Sequence, residues 1–309
     1  MIKKECFTAE WIEQVSSELH YNDKNLIEKV IRALSLLEML VKAGCPLVFK
    51  GGTALMLILG KSAHRLSIDI DLICPPGTNI EDYLKSFADF GFINLELVER
   101  KQRDDADIPK SHSKFFYQIA YRNDTDAQSY ILLDVLYEDI HYFRTQQIAI
   151  NCPFIRLEGK PLMVTVPSAE DILGDKLTAF APNTTGIPYY KNGRSCSMEI
   201  AKQLYDVGRL FENVSDLQIT KEAFRKIAVV ELSYRSFGTD IGQVFNDIRQ
   251  TALCISTRGK AGEGDFDLIQ DGIIRVKSFM YKQRYLIDHA IIDAARAAYL
   301  ATLIEKGIN

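Results

Sequence analysis

The first part of the chain combines helical and strand-like patterns of hydrophobic residues. In residues 26–40, apolar side chains recur close to every 3.6 positions, which predicts a helix within a mainly helical N-terminal stretch. The apolar run at 45–49 predicts a short buried strand, and residues 50–53 predict a turn into a helix over 54–59. Residues 67–73 predict a second strand, which the following Pro-Pro-Gly ends because proline cannot supply the ladder N–H.

The middle of the chain continues this mixture. The pattern predicts a helix over 80–90 and a strand over 93–100. Residues 101–113 are polar and include a proline, which predicts a turn or loop. Two apolar stretches, 115–121 and 130–137, flank a turn-like polar segment, so they predict an antiparallel hairpin.

The pattern changes near residues 161–167. Ser168-Ala-Glu-Asp171 has the form of a capping box and predicts the start of a helix that carries Lys176. From there to the last residue the periodic signals are nearly all helical. The exception is the stretch 181–197, whose Pro, Gly, Asn and Thr content predicts a loop.

A chain of 309 residues is longer than one compact domain usually requires. The pattern predicts an α+β protein with a mixed sheet domain and flanking helices over 1–160, followed by a helical domain over 161–309. The order of elements is not the regular alternation that is typical of a doubly wound parallel sheet.

Three aspartates interrupt the apolar strands. Asp69 and Asp71 are two residues apart in a predicted strand, so their side chains project from one face of the sheet. Two like charges in a partly buried place repel and lose hydration, a cost that protons, arginines or metal ions can offset. Asp134 stands alone in an apolar run, where an unpaired carboxylate is costly. Since hard cations such as Mg²⁺ take oxygen ligands, the three aspartates predict a metal site.

Gly51, Gly52 and Thr53 lie between a predicted strand and a predicted helix. Glycines let the backbone approach a phosphate closely, and the helix N-terminus and the Thr53 hydroxyl add donors for an anion. A Gly-Gly-Thr turn or an Asp-x-Asp pair alone is weak, because most of them are plain turns or solvated strand ends. Their order and spacing, with a single aspartate on a later strand, favour metal-assisted phosphoryl or nucleotidyl transfer.

Charge and composition narrow the class of protein. The formal net charge is −4, so the strongly basic balance of a protein held mainly by nucleic-acid phosphates is absent. The N-terminus does not resemble a signal peptide, and no apolar stretch is long enough to span a membrane, so a cytoplasmic protein is expected. The six scattered cysteines are predicted to be free thiols. The histidines without ligand-like spacing are predicted to be structural: His20, His112, His141 and His289.

Residues 51–55 (Gly-Gly-Thr-Ala-Leu) and 65–72 (Arg-Leu-Ser-Ile-Asp-Ile-Asp-Leu) resemble the first motif of the AbiEii/AbiGii toxin family. This family is a branch of the DNA polymerase β-like nucleotidyltransferase superfamily, whose signature is Gly-Gly/Ser, a spacer and Asp-x-Asp. Residues 170–179 are similar to the family's lysine-bearing helix, and residues 202–207 to its Lys-Asp-x-x-Asp segment. Gln203 replaces the first aspartate of that segment.

The resemblance implies a bilobed nucleotidyltransferase with the nucleotide bound between a mixed sheet domain and a helical domain. It implies that three carboxylates hold Mg²⁺ or Mn²⁺, namely Asp69, Asp71 and Asp134, with Asp134 also serving as general base. It adds Lys176 to these as a catalytic residue that neutralises the triphosphate. The residues and the resemblance together predict these nucleotide-binding residues: Gly51, Gly52, Thr53, Arg65, Ser67, Lys176 and Asp206. The resemblance implies that Asp206 lies near the nucleotide or near Lys176. Arg65 either braces the aspartate pair or contacts a phosphate.

The implied reaction is transfer of a nucleoside monophosphate from an NTP to an acceptor. RNA is the leading acceptor, with the tRNA 3′ end first, and the protein would be the toxin of a toxin–antitoxin or phage-defence pair with a separately encoded antitoxin. Transfer to a protein hydroxyl is the alternative reaction. A catalytically silent nucleotide-binding protein is the alternative outside enzymes.

Overall fold

The computed structural model describes residues 1–98, 110–121, 127–235, 238 and 240–308. The helices in these ranges are α1 (Ala9–Glu18), α2 (Lys24–Lys42), α3 (Gly51–Leu59), α4 (Ala169–Ala179), α5 (Ser197–Phe211), α6 (Leu217–Tyr234), α7 (Ile241–Ser256), α8 (Phe266–Val276) and α9 (Ile287–Lys306). The strands are β1 (Val48–Lys50), β2 (Ile70–Cys74), β3 (Asn94–Val98), β4 (Lys110–Gln118), β5 (Gln128–Tyr137), β6 (Thr145–Ala149), β7 (Met163–Pro167), β8 (Tyr190–Lys191) and β9 (Arg194–Ser195).

A five-stranded mixed sheet forms the centre of the N-terminal half, in the order β1-β2-β5-β4-β3. Strands β2 and β5 are parallel, and the other neighbours are antiparallel. The β4–β5 pairing confirms the predicted hairpin. Since β2 and β5 lie side by side, the two strands that carry Asp71 and Asp134 are direct neighbours.

The two faces of this sheet differ because side chains alternate along each strand. On β5, Ile131, Leu133 and Val135 are buried in the core that α1 and α2 complete. Asp134 projects from the opposite face, which we call the open face. The alternation of β5 therefore places its one acidic residue away from the apolar core.

Helix α2 forms where the 3.6-residue pattern predicts it. The Asp23 side chain accepts a hydrogen bond from the Leu26 amide and so caps the first turn. Its apolar side chains, from Leu26 to Leu40, are buried against the sheet and α1. The buried face of this helix anchors the N-terminal core.

The second core lies among α4–α9. Helix α4 begins as predicted, because the Ser168 hydroxyl accepts a hydrogen bond from the Asp171 amide. Phe180, Phe224 and Phe245 are buried among these helices. Leu55 of α3 belongs to this core although its neighbours along the chain lie in the first, so α3 joins the two. The boundary at residues 160 and 161 stays a prediction.

Some elements differ from the sequence-based expectation. Residues 80–90 form two short 3₁₀ turns, Ile80–Tyr83 and Phe87–Phe90, in place of one helix. Ile80, Leu84 and Phe92 are buried around these turns, so tertiary packing rather than continuous helical hydrogen bonding shapes the segment. The β6–β7 pair was not predicted, because a long connection separates its two strands. The β8–β9 pair was also missed, although Asn192-Gly193 between its strands is a local signal for a hairpin turn.

Element boundaries near the aspartates also differ. Helix α3 begins at Gly51 rather than at residue 54, and β2 begins at Ile70, so Asp69 lies just before the strand. Strand β4 begins at Lys110, within the predicted loop. Three predicted segments lie partly or wholly outside the described residues. They are residues 101–109 of the predicted loop, the last residues of the strand predicted over 93–100, and the turn at 122–126.

The architecture confirms an α+β fold with a mixed sheet followed by a helical C-terminal region. All six cysteines are free thiols, as predicted. Among the helices of the described ranges, none combines the length and the apolar character needed to cross a membrane.

Candidate active site

Four side chains lie in one row across the open face of the sheet. The strand register pairs Lys50 of β1 with Asp71 of β2, Asp71 with Asp134 of β5, and Asp134 with His112 of β4. Residues at the same register on adjacent strands point to the same face. We call Lys50, Asp71, Asp134 and His112 the polar row; the sheet itself aligns two acids between two basic side chains.

Asp71 lies against the start of α3. Gly51 has a φ of +78°, and a Cβ atom on Gly51 would overlap the Asp71 carboxylate. Glycine is therefore required here twice, for its backbone conformation and for the close approach of the carboxylate. Lys50, the N-cap residue of α3, makes no side-chain cap, so the first N–H groups of this helix have no side-chain acceptor from it.

Asp69 is held by its backbone rather than by strand pairing. The Thr53 hydroxyl donates a hydrogen bond of 2.7 Å to the Asp69 carbonyl oxygen, and Thr53 is fully buried. The sequence assigned this hydroxyl to a triphosphate, and in the structure it ties the segment before β2 to α3. The assigned contact stays a prediction.

The aspartate cluster, defined as Asp69, Asp71 and Asp134, carries excess negative charge. Burial raises the pKa of Asp71 to about 7, with repulsion from Asp69 and Asp134 adding to the effect and Lys50 and Lys176 opposing it. Burial also raises the pKa of Asp69, and repulsion from Asp134 contributes. The site therefore favours a cation or protons among these carboxylates.

Gly52 lies beneath the segment that leads to Asp69. A Cβ atom at Gly52 would come within 2.7 Å of the Ser67 hydroxyl and 2.9 Å of an Arg65 guanidinium nitrogen. The absence of a side chain at Gly52 thus lets Ser67 and Arg65 pack directly on the first turn of α3. The nucleotide contacts expected of Gly52, Ser67 and Arg65 stay predictions.

Arg65, Lys176 and Asp206 form what we call the buried ion cluster, between the sheet and the helical region. Nε and Nη2 of Arg65 donate to the Asp206 carboxylate at 2.8–3.0 Å, and Lys176 Nζ lies 3.1 Å from Asp206 Oδ2. All three side chains are buried. Arg65 therefore braces Asp206 of α5 and makes no contact of this kind with the aspartate pair.

Gln203 joins this cluster at the position where the resembling family motif has an aspartate. Its side-chain oxygen accepts a hydrogen bond of 2.9 Å from Lys176 Nζ. A neutral amide thus takes a place beside the lysine. Lys176 keeps one carboxylate partner, Asp206, and a smaller share of its positive charge is neutralised than two carboxylates would neutralise.

Lys202 is a site residue to which the sequence analysis gave no role. Burial lowers its pKa to about 8, with Arg65 adding to the effect, while Glu199, Asp69 and Asp206 oppose it. Its ammonium lies 3.8 Å from the centre of the Phe279 ring. The available signal was spacing, since Lys202 and Asp206 are one helical turn apart and share a face of α5.

His112 was also missed, since its isolated position predicted a structural role. Its Nδ1 makes a short hydrogen bond with Asp134 Oδ1, and its buried Nε2 has no hydrogen-bond partner among the described residues. The pairing follows from the β4–β5 register, which places the two residues directly opposite. A hairpin alignment, rather than residue spacing, was the signal that would have found it.

The donor chemistry of the aspartate cluster suits a hard cation, because carboxylate oxygens are the preferred ligands of Mg²⁺ and Mn²⁺. In the part of the chain that the structure describes, no three His, Cys, Asp or Glu side chains are already close enough to hold a metal ion. The carboxylates would have to draw together around an ion, whose positive charge would offset the repulsion that Asp69 and Asp134 exert on Asp71.

A family model described as the nucleotidyl transferase AbiEii toxin of type IV toxin–antitoxin systems matches residues 34–284. The chain belongs to the AbiEii family. The matched range contains the polar row, the buried ion cluster and most of the helical region, so the resemblance seen in short motifs extends over most of the chain.

Solved structures similar to this AbiEii-family chain include two bacterial proteins. JHP933 from Helicobacter pylori is 17% identical, with a TM-score of 0.47 over 91% of this chain and 94% of its own. MenT4, a nucleotidyltransferase toxin from Mycobacterium tuberculosis, is 13% identical, with a TM-score of 0.49 over 95% of this chain and 89% of its own. Among curated proteins, none matches the chain. The family assignment rests on the family model.

Membership of the AbiEii family supports a transferase that uses an NTP. A toxin of a type IV toxin–antitoxin system also implies a separate antitoxin.

Proposed function

We propose that this AbiEii-family protein transfers a nucleoside monophosphate from an NTP to the 3′ hydroxyl of an RNA, with tRNA as the leading acceptor. The observation that carries the proposal is the aspartate cluster beside the N-terminus of α3. Carboxylates that repel each other next to unpaired backbone donors suit a site for metal-bound triphosphate. Lys176 adds a positive charge on the side of the helical region.

The start of α3 is the proposed cradle for the triphosphate. Gly51 and Gly52 carry no side chains to keep a phosphate away, and the first N–H groups of the helix lack a side-chain cap. Thr53 reaches this region through its backbone, since its hydroxyl already holds Asp69. Arg65 and Ser67 pack against the same first turn of α3 at Gly52.

Mg²⁺ or Mn²⁺ held by Asp69, Asp71 and Asp134 would stabilise negative charge on the transferring phosphate and the leaving group. Asp134 accepts the proton of the acceptor hydroxyl as general base. The hydroxyl oxygen then forms a bond to the α-phosphorus, while the bond from that phosphorus to the bridging oxygen of the β-phosphate breaks. Pyrophosphate leaves with the electron pair of that bond, and Lys176 balances its charge.

The buried ion cluster orients Lys176 for this role. Asp206 holds the lysine at 3.1 Å and is itself held by Arg65, so the ammonium has a defined position between the two regions. Lys202 adds a second ammonium near Asp69, and a phosphate entering there would raise its lowered pKa. His112 holds Asp134 on the opposite side of the row.

The biological role that follows is that of a toxin that modifies cytoplasmic RNA, checked by its antitoxin and acting in phage defence. Modification of a tRNA 3′ end would block aminoacylation and so stop growth. The proposed place of action is the cytoplasm, where NTP and tRNA are both present.

The test is transfer of label from each α-labelled NTP to total tRNA or to total protein, with Mg²⁺ present. The variant Asp69→Asn/Asp71→Asn removes two charges of the aspartate cluster, and we expect it to lose transfer by more than about 100-fold. The matched control, Asp82→Asn/Asp89→Asn, removes two exposed aspartates and keeps full transfer.

Label on RNA supports the proposal. Label on a protein hydroxyl instead would establish the alternative acceptor, and absence of label from wild type with every NTP and both acceptor pools would favour a silent nucleotide-binding protein. Equal transfer by the cluster variant and wild type would remove the aspartates from the mechanism.

A further inference from the structure

The open face continues beyond the polar row toward the start of β5. Tyr130 lies four residues before Asp134 on the same face, about 13 Å away along the strand. Strand β4 places Phe116 directly opposite Tyr130, and Lys114 lies between Phe116 and His112 on that face. This part of the sheet is thus continuous with the proposed site and belongs to neither core.

Of its two aromatic side chains, Tyr130 is exposed and Phe116 is half-buried. The ring centres of Phe116 and Tyr130 are 5.7 Å apart, and Tyr130 is 39% exposed. The two rings are tilted to each other, and a directly opposed aromatic pair of this kind stabilises a hairpin. The exposed part of Tyr130 is left for another flat group.

Two lysines lie close to the exposed ring of Tyr130. Nζ of Lys29, from α2, and Nζ of Lys114, from β4, each lie 5.5 Å from the centre of the Tyr130 ring. Lys29 also lowers the pKa of Asp69, so its charge reaches both the aromatic ring and the aspartate cluster. Glu96, 3.2 Å from Lys114, is the acidic side chain that pairs with it and holds it on this face.

We propose that Lys29, Lys114, Phe116 and Tyr130 form an acceptor surface that binds the unpaired end of a single-stranded RNA. This inference rests on the proposed nucleotidyl transfer and assigns its second substrate a place. Bases stack on exposed aromatic rings in a sequence-tolerant way, and lysines beside the rings contact the backbone phosphates. A strand that stacks on Tyr130 has its reacting end about two to four nucleotides further along, at Asp134.

The combination of groups selects this occupant. Two ammonium groups close to an exposed ring complement a polyanion that carries flat bases. A protein hydroxyl needs neither feature. The formal net charge of −4 for the whole chain is compatible with a short footprint of this kind, since only a few phosphates are contacted.

The test measures binding of a fluorescently labelled single-stranded oligoribonucleotide to the full chain, without NTP, by anisotropy. We expect Tyr130→Ala to raise the Kd at least about fivefold, because a stacked base is lost, and Tyr130→Phe to keep wild-type binding. Tyr299→Ala is the matched control: Tyr299 of α9 is also exposed and beside a phenylalanine, and its removal leaves the Kd unchanged.

The lysines are tested through salt dependence, which does not require the aromatic variant to be well folded. Lys29→Gln and Lys114→Gln each reduce the slope of log Kd against log salt by about 0.7, the value for one phosphate of a single strand. Lys260→Gln, which alters an exposed lysine of the helical region, leaves the slope unchanged.

The acceptor surface is overturned if wild type does not bind the RNA, or if Tyr130→Ala binds as tightly as Tyr299→Ala. The Kd for NTP is measured in parallel to separate this inference from the proposed function. Intact NTP binding and transfer of label to protein, with no RNA binding, would remove the acceptor surface and keep nucleotidyl transfer. A parallel loss of NTP and RNA affinity in Tyr130→Ala would also contradict a separate surface.

Discussion

The aspartate cluster and the buried ion cluster are both groups of charges near the boundary between the sheet and the helical region, and they are balanced in opposite ways. In the buried ion cluster, Asp206 receives hydrogen bonds or ion pairs from Arg65 and Lys176, so each charge has a partner. In the aspartate cluster, carboxylates raise each other's pKa.

The two patterns of charge pairing indicate different roles for the two clusters. Buried charges that are paired hold elements in a defined arrangement, whereas buried charges that repel are costly until something else binds. We infer that the buried ion cluster maintains the position of Lys176, and that the aspartate cluster is completed by the substrate and its cations.

The largest expected effect comes from breaking the buried ion cluster. Asp206→Ala leaves the Arg65 and Lys176 charges buried without a carboxylate, and we expect the free energy of unfolding to fall by about 3–5 kcal/mol. The control is Asp288→Ala, which breaks an exposed pair with Arg258 and costs no more than about 1 kcal/mol. Denaturant titration measures both, and equal losses would contradict a structural role for the cluster.

The aspartate cluster should make the free energy of unfolding fall as pH is raised. The pKa of Asp71 is about 7 in the folded protein and 3.8 as its ordinary value, so the folded state binds more protons in this window. The free energy of unfolding therefore falls as pH rises toward 7 and the Asp71 carboxyl loses its proton. Between pH 5 and pH 7 the metal-free protein should lose about 2–3 kcal/mol through this group.

Urea titrations at pH 5 and pH 8 with a chelator test this expectation. Asp71→Asn cannot ionise, so the loss should be much smaller in that variant, and the difference between variant and wild type isolates Asp71 from other titrating groups. Mg²⁺ added at pH 8 should restore wild-type stability, because it binds only the folded carboxylates. Parallel pH profiles of variant and wild type would show that the aspartate cluster carries no such strain.

A smaller effect is expected at the edge of the polar row. His112→Ala frees the Asp134 carboxylate that the imidazole holds, and we expect kcat to fall about tenfold, as for other residues that orient a catalytic ligand. The KM for NTP should stay unchanged, because His112 positions the base and not the triphosphate. His112→Asn, which keeps a donor, should recover part of kcat.

Steady-state kinetics with labelled NTP measure these values, and His20→Asn, at an exposed histidine outside the site, serves as control. A rise in KM with unchanged kcat would indicate that His112 contacts the nucleotide instead of positioning Asp134.

Local sequence patterns predicted the elements that bury one face. The helical period of α2 and the alternation in β5 followed from which residues are apolar, and the capping of α4 followed from Ser168. The same alternation singled out Asp71 and Asp134, because a carboxylate in an apolar strand stands out. The conformation of residues 80–90 and the β6–β7 pairing could not be predicted from local patterns, since both depend on distant partners.

The residues around the aspartates take their place in the site from tertiary contacts and not from local patterns. Lys202 begins the segment that resembles a family motif, whereas His112 has no local signal. Both become site residues through the face of α5 and the register of β4 with β5. Two roles were predicted for Arg65, namely bracing the aspartate pair or contacting a phosphate. Its observed contact with Asp206, which is far away along the chain, is neither of these.

From the sequence alone, Asp69, Asp71 and Asp134 were predicted to form a metal site, beside a Gly51-Gly52-Thr53 turn that suits a phosphate. This was possible because periodicity and glycine positions are local properties that limit where a side chain points. Three contacts of the site could be seen only in the tertiary structure. They are the hydrogen bond from Thr53 to Asp69, the ion pairs of Arg65 and Lys176 with Asp206, and the hydrogen bond between His112 and Asp134. Those contacts depend on how strands align and helices pack across the two cores, which is set by the burial of many residues at once.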